Sequence, residues 1–131
     1  MFRKNGDSAS INELSIHLSQ GNFSVLQDLA EKPHEIANFL KQILRELAEP
    51  ICPFNLYPKF RDMKITDSRE DKLNELAEYL MLMPLLNRNT LLFIVRFFRK
   101  VAVFEDKNKM TAYNLAVVIT PNVFRSKELS I

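Results

Sequence analysis

An all-α fold in one domain is what this sequence predicts. Apolar residues recur at helical spacing through nearly the whole chain, and no stretch alternates with the period of two that marks a half-buried strand. The 131 residues are 47% hydrophobic, which suits a single core that folds without staples. Glycine, proline and cap-forming residues punctuate the apolar runs, as expected at helix ends.

Ser10-x-x-Glu13 reads as a capping box opening a first helix, with Ile11, Leu14 and Leu18 facing inward and Gly21 stopping it. A short helical or loop segment follows through Phe23, Leu26 and Leu29. Pro33 then sits near the start of a helix running to about Ala48, whose apolar stripe is Ile36, Phe39, Leu40, Ile43, Leu44 and Leu47. Pro50 and Pro53 end it. From Pro50 to Met63 no periodicity lasts, so a packed connecting loop with about one helical turn is expected. Asp67 or Ser68 is placed to cap a helix through Leu73, Leu76, Leu80 and Met83, with acidic residues near its start where the macrodipole favours them. Asn87 or Asn89 is placed to cap the next helix, which runs to about Phe104. That segment is apolar almost all round, which predicts the central buried element, broken only by Arg96, Arg99 and Lys100. Glu105 to Lys109 is a charged turn, and Thr111 caps a last helix expected to end before Pro121.

Composition excludes several classes of function. The lone Cys52 has no internal disulfide partner and no Cys or His at metal-ligand spacing, which fits a reducing compartment and argues against structural zinc. Cys52 also has no histidine near it in sequence, so no nucleophile and base pair for an independent hydrolase is visible. No apolar run approaches the ~18 residues of a membrane span, and the N-terminus turns polar after Phe2, so the expectation is a soluble, cytoplasmic protein. A net charge of +2 with 26% charged residues is too balanced for a nucleic-acid binder. Neither Gly6 nor Gly21 lies in a glycine-rich turn feeding a helix, so no phosphate cradle for a resident nucleotide is read.

Three separated segments carry a family resemblance: Met-Phe-Arg-Lys-Asn-Gly at positions 1–6, Leu40-Lys-Gln-Ile-Leu-Arg-Glu-Leu-Ala-Glu-Pro50, and Asn108-Lys-Met-Thr-Ala-Tyr-Asn-Leu-Ala-Val-Val-Ile-Thr-Pro-Asn122. Each resembles a signature of the Rho GTPase-activating (RhoGAP) domain, in the same order, out to about Phe124. The resemblance implies the RhoGAP helical fold over residues 1–131, shortened at the N-terminus and with less than the family's usual C-terminal part. It further implies an activator of a Rho/Rac-class small GTPase. Arg3 would be the arginine inserted into the partner, Lys41 and Arg45 would line the groove receiving it, and Asn114 would lie at the contact. GTP and its magnesium would belong to the partner, leaving this chain with no cofactor of its own. Ala48 departs from the pattern, standing where the family usually has proline.

From the residues alone, bland readings compete with these roles. Arg3 near a chain end is ordinarily a solvated charge, although a guanidinium offers a rigid, permanently charged fork that lysine does not. Lys41 and Arg45, four apart on one helix, repel by roughly 0.2–0.5 kcal/mol and otherwise read as a solvated face. Asn114, among apolar neighbours, either satisfies a backbone group or reaches a partner; the resemblance implies the second. The Arg96, Arg99 and Lys100 stripe reads as solvated, with membrane-surface binding as a weaker alternative, and the methionines read as core filler. A GTPase-binding or scaffolding module without catalysis is the competing function, and a homodimer covering missing core is left open.

Overall fold

The computed structural model describes residues 8–24, 27, 33–63 and 68–129. Among them every regular element is helical: α1 (Ser8–Ser19), α2 (Pro33–Glu46), α3 (Tyr57–Arg61), α4 (Arg69–Leu82), α5 (Leu85–Val103), α6 (Glu105–Asn108) and α7 (Ala112–Val123), followed by a 3-10 turn at Lys127–Leu129. No described helix is long and apolar enough to cross a membrane.

The helix ends follow local chemistry. Two backbone bonds close α1 in a Schellman pattern, Asn22 N–H to His17 O at 3.0 Å and Gly21 N–H to Leu18 O at 3.0 Å. Gly21 makes this possible by taking a φ of 76°, which costs it nothing. At the other end α1 begins at Ser8, so Ser10 lies inside the helix instead of capping it. Ser68 caps α4 by accepting the Asp71 N–H, and Thr111 caps α7 by accepting the Asn114 N–H. Asp67 lies outside the described residues, as does most of the segment through Leu26 and Leu29.

Two helix boundaries differ from expectation. α5 starts at Leu85, with Pro84 as its N-cap and no side-chain cap at all. Asn87 was a cap candidate, but its Nδ2 donates to the Ile51 carbonyl 2.9 Å away, joining α5 to the loop after α2. α7 continues through Pro121 to Val123. The ring costs the bond that would run back to Val117, a residue at the exposed surface. Phe124 N–H still bonds Thr120 O at 2.9 Å, so the ladder resumes past the proline.

The main core gathers Ala37 and Leu44 of α2, Ile51, Cys52 and Leu56 of the following segment, Met83, four residues of α5, then Met110, Leu115 and Val123. α2 packs along α7 and, by its other side, against α1, where Leu14 and Phe39 form a second cluster. The loop from Pro50 packs inward as expected, with Pro50, Ile51, Cys52 and Pro53 all buried. Phe60 of α3 ties this layer to its neighbours, with ring centroids 5.6 Å from Tyr79 and 5.2 Å from Phe124.

α5 is not buried all round. Leu91, Ile94, Phe98 and Val101 face the core, but Phe93 is 74% exposed and Leu86, Phe97 and Phe104 share its outward line. On a further side, α5 and α7 flank an apolar groove of about 390 Å³, lined by Leu91, Phe98, Ala102, Leu115, Ile119 and Phe124 among others. Ile43 and Leu47 of the expected α2 stripe are also exposed, while Ala37 is buried in the core.

These burials separate two kinds of apolar position. Leu44→Ala removes a side chain buried in the main core and is expected to cost about 2–5 kcal/mol in urea unfolding. Val117→Ala, at an exposed α7 position, should stay within about 0.5 kcal/mol of wild type.

Candidate functional site

Lys41 and Arg45 stand one turn apart on α2, Lys41 half-buried and Arg45 exposed. Partial burial holds the Lys41 ammonium below its ordinary pKa, and the Arg45 guanidinium beside it pushes in the same direction. A depressed ammonium pKa means that folding disfavours its charge. Burial and the neighbouring guanidinium thus act on this ammonium in the same sense.

Asn114 occupies the first turn of α7, the helix packed along α2. Its backbone N–H meets the Thr111 hydroxyl at 3.1 Å, and its Nδ2 donates to the Lys109 carbonyl at 3.3 Å. The side chain thus serves a backbone group, the first of its two sequence readings. Lys109 sits at a φ of 60°, turning the chain between α6 and α7. Asn108 completes the turn, donating from Nδ2 to Val101 O and accepting the Met110 N–H at Oδ1, both at 2.8 Å. The structure thereby brings the elements bearing Lys41, Arg45 and Asn114 into one packed pair of helices. Arg3 lies outside the described residues.

The C-terminal end of α2 depends on a residue that sequence reading passed over. Arg125, just beyond α7, donates from Nη1 to Arg45 O at 2.8 Å and from Nη2 to Leu47 O at 2.6 Å. The signal was faint, since an arginine after the last helix looks like any solvated charge. Glu49 steadies the same turn by accepting the Phe54 N–H at 3.0 Å. Cys52 N–H donates to Val123 O at 3.2 Å, so the ends of α2 and α7 are joined through backbone as well.

Cys52 offers no chemistry here. It is fully buried, and desolvation pushes its thiol up to about 11, so it stays protonated near neutrality. Because the folded pKa exceeds the ordinary thiol value, its contribution to stability is fully present below the unfolded pKa. It is lost as pH rises from 9.0 towards 11. A thiol reagent at pH 8 should label Cys52 only as fast as the protein opens, and urea should abolish the lag. Rapid labelling of folded protein would contradict this burial.

The sequence matches the family model of the RhoGAP domain over residues 1–128. It is 34% identical over 128 residues to Rho GTPase-activating protein gacII of Dictyostelium discoideum, covering 98% of this chain and 16% of that protein. It is 35% identical over 98 residues to human Rho GTPase-activating protein 44, covering 75% of this chain and 12% of that protein. The chain therefore spans about one-sixth or less of the length of these relatives. The fold is similar to a crystal structure of human Rho GTPase activating protein 15, with a TM-score of 0.84 at 23% identity, over 95% of this chain and 59% of that one. It is also similar to the BH domain from GRAF, the GTPase regulator associated with focal adhesion kinase, with a TM-score of 0.82 at 26% identity, over 96% of this chain and 68% of that one.

Proposed function

This chain belongs to the RhoGAP domain family, and on that premise we propose that it accelerates GTP hydrolysis by a Rho/Rac-class small GTPase in the cytoplasm. The observation that carries the reading is the pairing of α2 with α7, which sets the helix bearing Lys41 and Arg45 beside the helix bearing Asn114. Two like charges kept together despite partial burial have a use if an anionic partner meets them.

The division of labour follows from charge. The partner brings GTP and its magnesium. Arg3 enters the partner's site and neutralises negative charge developing on the transferred phosphoryl group, where a fixed guanidinium is worth far more than in water. Lys41 and Arg45 attract and orient the partner at the mouth of that contact. Asn114, held by the Lys109 carbonyl, presents a fixed amide to the partner next to them. No independent active site in this chain is needed, because the attacking water and the nucleotide are both held by the GTPase.

Single-turnover hydrolysis on a panel of GTP-loaded Rho-family and Rac-family GTPases tests the reading. Wild type in catalytic amounts should accelerate at least one of them, and Arg3→Ala should lower that acceleration by roughly 10³-fold, the lower end for such an arginine in trans. Equal acceleration by both proteins would remove Arg3 from its role. Binding to the GTP-loaded form with no acceleration by wild type would assign a non-catalytic binding or scaffolding module instead.

Lys41→Ala separates function from fold. It removes a partly exposed cation beside Arg45, so stability should stay within about 0.5 kcal/mol of wild type. Activation should nevertheless fall about tenfold, the weight of one lost charged contact. A loss of activity accompanied by a fall in the urea midpoint would make Lys41 structural.

A further inference from the structure

We propose that Arg125 is a positioning residue for GTPase activation, fixing the last turn of α2 against the end of α7 so that Lys41 and Arg45 are held in place beside Asn114. The inference rests on the functional reading above and adds to it a residue that touches neither partner nor nucleotide.

Geometry carries it. The last four carbonyls of a helix have no partner within it, and Arg45 O is one of these. The two Nη groups of Arg125 take Arg45 O and Leu47 O at 2.8 and 2.6 Å, across 80 and 78 residues of sequence. A planar fork that spans two carbonyls fixes the direction of the helix end, which a single ammonium does not. Arg125 is half-buried, with its Nε withdrawn from solvent and its two Nη groups reaching the carbonyls. Its charge lies at the negative end of the α2 dipole, the favourable side for a cation.

The consequence falls directly on the candidate site. The carbonyl being held belongs to Arg45 itself, and Lys41 lies one turn earlier on the same rigid helix. Asn114 sits on α7, and Arg125 follows two residues after that helix ends. One side chain therefore sets the relative placement of all three described candidates.

The neighbours at this end of α2 are engaged elsewhere or carry no polar side chain. Ala48 favours continuing the helix, and Glu49 bonds forward to Phe54 N–H instead of back to the helix. Without Arg125 the turn at residues 44–49 would lose both of these bonds to the segment after α7.

The test compares wild type, Arg125→Ala and Arg125→Lys by amide hydrogen exchange and by single-turnover GTP hydrolysis. Arg125→Ala should exchange faster at residues 44–49 while α5 and α7 keep their protection. Its kcat/KM for activation should fall between about tenfold and a hundredfold, as when a contact is misplaced by about an ångström. Arg125→Lys, which keeps the charge and one donor, should recover part of both. Wild-type activation retained by Arg125→Ala overturns the inference, and so does faster exchange at 44–49 with no loss of activation. If Arg125→Ala unfolds, Arg125→Lys decides, and full activation by a folded lysine variant counts against the need for a fork. A wild-type protein that activates no GTPase removes the functional reading first, and that outcome is recognised from the wild-type arm alone.

Discussion

The junction where α2 and α7 end side by side is the constraint on which the rest of this structure depends. Between α2 and α3 the chain has no regular structure, yet Pro50 and Cys52 are among the most completely buried residues. Backbone that leaves water must find partners, and here they come from three directions. Val123 O accepts the Cys52 N–H, Asn87 of α5 donates to Ile51 O, and Arg125 takes the carbonyls of Arg45 and Leu47. An irregular segment thus becomes as fixed as a helix, and both of its neighbours inherit that fixity. The helices α2 and α7, which bear the site candidates, are joined at their ends through that segment.

The element order and the fold class were legible because each helix announces itself locally. Ser68 and Thr111 cap where their spacing says, Gly21 stops α1, and Pro33 opens α2. Motif resemblance names Lys41, Arg45 and Asn114 as candidates, and the structure places them on two helices packed together. Two of the illegible positions share one physical cause, a partner far away in sequence. Asn87 resembles a cap until Ile51, 36 residues earlier, claims its amide. Arg125 resembles a solvated charge until carbonyls about 80 residues away claim its fork. Pro121 was read as a stop because the rule for proline concerns a lost bond. Here one bond is lost at an exposed residue, and a hydrophobic helix continues through it.

α5 shows a different limit. A helix apolar on every side is expected in the middle of a protein, and its core line of Leu91, Ile94, Phe98 and Val101 is indeed buried. Leu91, Ile94 and Phe98 of that line also border the groove shared with α7, and the remaining apolar surface includes the outward line through Phe93. Periodicity reports which residues tolerate burial, while neighbours decide which are buried. The groove matters to the site because Leu115 and Val123, which line it, also belong to the core that fixes α7. Whatever alters packing there acts on the helix bearing Asn114.

Charge and helix polarity converge at the same end of α2. Arg45 lies in its last turn, Lys41 one turn before, and the Arg125 guanidinium on its final carbonyls. Three cations in so small a region would repel one another, but the helix C-terminus carries about half a negative elementary charge and offsets part of that cost within its last turn. The two uses of arginine are chemically distinct. Arg125 has both Nη groups engaged with backbone and serves the fold, whereas Arg45 is exposed on the helix surface. Arg125 thus satisfies carbonyls at the end of α2 while Arg45 keeps its side chain at the surface, so one helix end carries a cation turned to the fold and another at the solvent boundary.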